Sequence, residues 1–139
     1  MTPEPSPRQP TWFLDGTTPT ALLIPGDHHP EQTTFFTRHA MDQQLGLLVH
    51  RQGSLVKRHK HISAPRTLTT CPECLILRKG SSEVQLYNQQ DQPIAVFTMR
   101  AGDILLILAG GHAFTMLEDC EWVETRAGCF PGDQAKVFF

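Results

Sequence analysis

The stretch HKHISAPRTLTTCPECLILRKG, residues 59–80, holds two histidines, two cysteines and one glutamate. His59 and His61 are two residues apart, so on an extended strand both imidazoles project from one face, within reach of a single ion. Lys57 shares that face, whereas Arg58 and Lys60 point away. On an extended segment Cys71 shares a face with Glu73, bordering any site that Glu73 serves. Cys74 then lies on the other face, where it packs as a small buried hydrophobe. A four-thiolate zinc site built from Cys71, Cys74, Cys120 and Cys129 competes for the same stretch. Its second pair is separated by eight residues, outside the short spacing such sites use. Glu73 also has a plain structural reading, a salt bridge to Arg66, Arg78 or Lys79. His28, His29, His39 and His50 have no comparable spacing and read as surface or core residues.

Short strands are what would hold these side chains in place. After Asp42 the segments LGLLVHRQG, SLVKRHKHI, ECLILRKG, EVQLYNQQDQPIAVFTMRAGD, ILLILAGGHAFTML and EWVETRAG each contain strand-like runs. They are separated by turn chemistry, such as Gln52-Gly53, the run from Lys79 to Ser82, Asn88 to Asp91, and Gly110-Gly111. Strands at this spacing with no helical period between them predict an all-β, antiparallel barrel or sandwich. In the late strand His112, Phe114 and Met116 share a side. Between Trp12 and Asp42 the signals are mixed: ALLIPGD reads as a short strand and EQTTFFTRHA as a short strand or a helical turn. Pro3, Pro5, Pro7 and Pro10 make residues 1–10 unfit for helix or central strand, giving a disordered or loosely attached arm. With 139 residues in all, residues 11–139 are expected to form a single domain.

The pattern resembles the cupins, small double-stranded β-helix (jelly-roll) metalloproteins. Their first motif is a His-x-His pair followed by a Glu, six residues and a Gly. Here His59-Lys60-His61 supplies the pair, and Glu73 precedes CLILRK and Gly80. The second motif, a Gly or Gly-Asp, a hydrophobic strand, a Gly turn and a His, is matched in outline by GDILLILAGGHAF, with His112 in the ligand position. The resemblance spans residues 45–126 and implies a cupin jelly-roll barrel with a metal held by His59, His61, Glu73 and His112. Eleven residues separate His61 from Glu73, a longer gap than the family carries. A loop at the barrel mouth accommodates it, because loop length costs little entropy once the ends are fixed. Leu108 stands where the family commonly has Pro. The closing segment RAGCFPGD, with ECLILRKG and LLILAGGHAF, is similar to small bacterial cupins of the WbuC type, found with surface-polysaccharide genes. That similarity implies a small sugar-like or carboxylate ligand.

Three imidazoles and a carboxylate suit a divalent transition metal such as Fe, Mn, Ni, Cu or Zn better than Mg or Ca, which prefer oxygen shells. An octahedral ion with four protein ligands keeps two positions for water, substrate or O₂. The expected function is therefore a metal-dependent isomerase, epimerase or dioxygenase acting on a small polar metabolite. A thiol dioxygenase fits less well, because such cupins lack the glutamate. Glu124 and Lys57 are the candidate acid–base and charge-neutralising residues, and Lys57, Arg66, Cys71, Phe114, Met116 and Arg126 the candidate pocket lining. The alternative is a non-catalytic binding or sensor cupin with a structural metal. A net charge of −2 gives no reason to expect nucleic acid or an anionic membrane as partner. No apolar run reaches the ~20 residues of a membrane span, and no secretory pattern opens the chain, so a cytoplasmic location is expected. A homodimer paired through sheet edges is the expected assembly.

Overall fold

In the computed structural model, which describes residues 7–128 and 132–139, the chain forms two compact units: Met1–His28 with Cys71–Phe139, and His29–Thr70. The larger unit is all-β and antiparallel, with the character of a two-sheet sandwich. Its strands are β1 (Thr11–Asp15), β2 (Thr18–Ile24), β5 (Glu73–Lys79), β6 (Ser81–Tyr87), β7 (Pro93–Arg100), β8 (Ile104–Ile107), β9 (Gly111–Met116) and β10 (Glu121–Arg126). One sheet runs β1-β2-β8-β5-β10 and the other β7-β6-β9. A 3-10 turn, Gly132–Ala135, lies after β10 in the sequence. Among the described residues no helix is long and apolar enough to cross a membrane.

The period-two pattern explains why the sheets face each other. Ala21 and Leu23 of β2, Leu75 and Leu77 of β5, and Leu105 and Ile107 of β8 pack against Val84 and Leu86 of β6 and Phe97 and Met99 of β7. Each fully buried aliphatic side chain contributes about 1.5–3 kcal/mol relative to exposure. The β1/β7 side is closed by Phe13 stacked on Phe97, ring centroids 4.8 Å apart and nearly parallel. The Gly102-Asp103 turn between β7 and β8 is clamped by Asp103, which is 1% exposed. Its side chain accepts hydrogen bonds from the backbone N–H of Gly26 (2.8 Å) and of Arg100 (2.9 Å). One acidic side chain thus joins two turns that are distant in sequence.

The smaller unit contains the two-residue strands β3 (Thr34–Phe35) and β4 (Gly46–Leu47), paired antiparallel. Asp42 Oδ2 accepts from the backbone N–H of Thr69 and Thr70, at 3.0 and 2.8 Å, and from both threonine hydroxyls. Those bonds hold the Asp42 carboxyl below its usual range.

The strands expected over residues 45–62 are corrected. The segment SLVKRHKHI is not a strand, and of LGLLVHRQG only Gly46–Leu47 is. Leu55, Val56 and Ile62 are 81%, 58% and 94% exposed, and the positions between Val56 and Ile62 are all basic or histidine, so a strand there would bury no face. Of the proline-rich arm, residues 1–6 lie outside the described residues. In the described part Arg8 pairs with Asp27, which lowers the Asp27 carboxyl from its ordinary value.

Candidate functional site

Strand register brings four polar side chains of the larger unit to one end of the sandwich. On β5, Glu73 follows the same alternation as the core residues Leu75 and Leu77, so it faces inward at the strand's start. On β10, Arg126 lies directly across from Glu73, Glu124 across from Leu75, and Trp122 across from Leu77. In the opposite sheet His112 of β9 pairs with Leu86, and Phe114 with Val84, which turns both toward the interior. β9 and β10 are edge strands of their sheets. Gly110 sets the entry to β9: its φ is +79°, and a Cβ there would come within 2.1 Å of the Tyr87 carbonyl oxygen. No other residue fits that approach, so the turn, and with it the register of His112, depends on this glycine.

Glu73 Oε2 and His112 Nε2 stand 3.8 Å apart, too far for a hydrogen bond. Burial pushes the Glu73 carboxyl up, and the neighbouring Glu124 carboxyl, which is hydrogen-bonded to it, pushes it further; Arg126 and Lys136 pull the other way. Burial holds His112 below the ordinary histidine value, with the positive charge of Lys136 acting in the same direction. Burial thus disfavours the charged form of both groups, the imidazolium of His112 and the carboxylate of Glu73. Arg126 lies 3.8 Å from Glu73 and 3.0 Å from Glu124, so the salt-bridge partner of Glu73 is Arg126 and not Arg66, Arg78 or Lys79. His112 Nδ1 and Trp122 Nε1 are buried with no hydrogen-bond partner among the described residues. The Phe114 ring lies between them, 5.5 Å from His112 and 5.2 Å from Trp122.

Two donors each about 2.1 Å from one ion stand at most about 4.2 Å apart. The 3.8 Å between Glu73 and His112 falls inside that limit, so this pair fits as half of a metal-ligand set. His59 and His61 belong to the smaller unit, in an exposed segment without strand. Their imidazoles still lie side by side, centroids 5.2 Å apart, although strand alternation is not what places them. His59 Nδ1 is 2.7 Å from the Lys57 carbonyl oxygen. Because a carbonyl only accepts, Nδ1 carries the proton and Nε2 keeps the lone pair a metal would use. Among the described residues no three His, Cys, Asp or Glu side chains gather closely enough to hold an ion.

Lys57 and Arg66 are exposed in the smaller unit, so the strand-face argument for Lys57 lapses with the strand. Cys71 is exposed just before β5, Cys74 is buried with its thiol pushed up by burial, and Cys120 is half-buried; all three are free thiols. Cys129 lies outside the described residues. Met116, 49% exposed, sits four residues along β9 from His112, opposite Ser82. The sequence reading passed over Trp122, although its parity with Glu124 and Arg126 would have marked it, and Lys136, for which no local pattern existed. No family model, curated protein or solved structure matches the chain.

Proposed function

We propose that the chain is a cupin-type metalloprotein in which Glu73 and His112 hold a divalent transition metal, Fe, Mn, Ni, Cu or Zn, and a small polar metabolite binds beside it. The observation that carries this reading is the approach of the Glu73 carboxyl and a neutral His112 imidazole from opposite sheets to 3.8 Å. His59 and His61 are the remaining donors, supplied by the sequence resemblance. When bound, the ion would act as a Lewis acid on a substrate oxygen or as a redox centre. The chain's own residues have separate tasks. Glu124, hydrogen-bonded to Glu73 and ion-paired with Arg126, would take or return a proton at the ligand. Arg126 neutralises an anionic group, and Phe114 and Trp122 keep that end of the sandwich dry. The edge strands β9 and β10 leave backbone groups for a second copy of the chain, the partner this reading assigns.

The test is metal analysis of the purified chain after loading with each of the five ions, alongside His112→Ala, Glu73→Gln and a His59→Ala/His61→Ala double variant. One exchangeable ion per wild-type chain, lost in all three variants, is the expected result. No ion retained by the wild type overturns the reading. An ion that will not exchange and carries no water ligand assigns the metal a structural role and the protein to the non-catalytic class.

A further inference from the structure

The segment after the 3-10 turn Gly132–Ala135 runs beside the same end of the sandwich. Lys136 is close enough for its charge to act on both Glu73 and His112, and its ammonium lies 3.8 Å from Asp133. Three residues later Phe139 sits edge-on to Tyr87, ring centroids 5.1 Å apart at 89°. Phe139 also touches the backbone of Gly111: a Cβ on Gly111 would come within 2.5 Å of its ring. His112 and Leu86 face the interior, so Gly111 and Tyr87, each one residue removed, face outward. Residues 136–139 therefore run from within charge reach of Glu73 and His112 to the outer face of β9 at Gly111. The last three of them are largely exposed. Val137 and Phe138 are 90% and 75% exposed, and Phe139 keeps 63% of its surface in water, the profile of a segment that opens at low free-energy cost.

We propose that residues 136–139 form the outer wall of the Glu73–His112 site, latched over the β9 edge by Phe139 on Gly111 and Tyr87, and that a ligand enters when the latch lifts. The inference rests on the proposed function only in taking this end of the sandwich as the site, and its test does not require metal. The full chain, treated with chelator, is reacted with diethyl pyrocarbonate, and modification of His112 is timed by peptide mass spectrometry with His59 as internal reference. Phe139→Ala and Gly111→Ala remove the latch from opposite sides, and the Gly111 backbone lies outside the positive-φ region, so alanine is unstrained there. A several-fold faster reaction at His112 in both variants, with His59 unchanged and the wild-type rate kept in Phe139→Tyr, is expected. An unchanged His112 rate in either variant overturns the proposal. So does a rise that His59 shares or that accompanies loss of cooperative melting, since that signals general unfolding.

Discussion

At the scale of single residues, Glu73 shows the cost a functional group can impose on its own fold. Its folded carboxyl holds its proton more tightly than an unfolded glutamate does, because burial and the Glu124 carboxyl outweigh Arg126 and Lys136. Above the ordinary glutamate value the folded protein thus binds more protons than the unfolded chain, and stability falls as pH rises toward the raised folded value. Glu73→Gln removes that loss. In metal-free protein the variant should melt higher than wild type at pH 7, and the two melting curves should converge as the pH falls below the ordinary glutamate range. A glutamine variant that melts lower at pH 7 would show that the Arg126 contact, and not burial, governs this position. Metal uptake would have to expel the same proton, so affinity should weaken on acidification.

Among the elements, the turn between β7 and β8 shows what was legible in the sequence and what was not. Gly102-Asp103 was readable as a turn before a hydrophobic strand, but the reach of Asp103 to the Gly26 N–H, 77 residues away, was not. Asp103→Ala removes the part-buried acceptor of the Gly26 and Arg100 N–H groups. At about 0.5–1.5 kcal/mol for each such hydrogen bond, chemical denaturation should show a loss of about 1–3 kcal/mol. A loss under about 0.5 kcal/mol would mean that water replaces the side chain. The same division runs through the site. Alternation put His112, Phe114 and Met116 on one side of GHAFTM, and the apolar positions 75 and 77 of ECLILRK bury the side that Glu73 shares; in EWVETR only Trp122 is apolar on the side of Glu124 and Arg126, so alternation gave no sign that these two would line the site. Alternation at 57, 59 and 61 had no such partners, since charged residues flank the histidines. The strand it suggested does not form. Lys136 and Phe139 were invisible for another reason: their positions follow from packing across the β9 edge, which no local period encodes.

For the molecule as a whole, His112 and Glu73 tilt the stability curve in opposite directions. His112 is held below its ordinary value by burial and by Lys136, so the folded state resists the proton that the unfolded chain accepts. Its contribution is fully present above the ordinary histidine value and is lost as pH falls through the lowered folded value, with a slope of up to about 1.4 kcal/mol per pH unit from this group. The carboxyls of Asp27 and Asp42, both lowered by their partners, add their own losses only further into the acid range. Acidification from neutral pH should therefore weaken the metal-free protein first through His112, while Glu73 works in the opposite sense. Replacing the ring by an amide in His112→Gln keeps a polar side chain at the position and removes the titration. Unfolding free energies measured from pH 7.5 downward should then decline in wild type through the histidine range and stay flatter in the variant, the difference between the two changing most on the acid side of that range. Parallel curves would mean that the imidazole is solvated and titrates alike in the folded and unfolded chain.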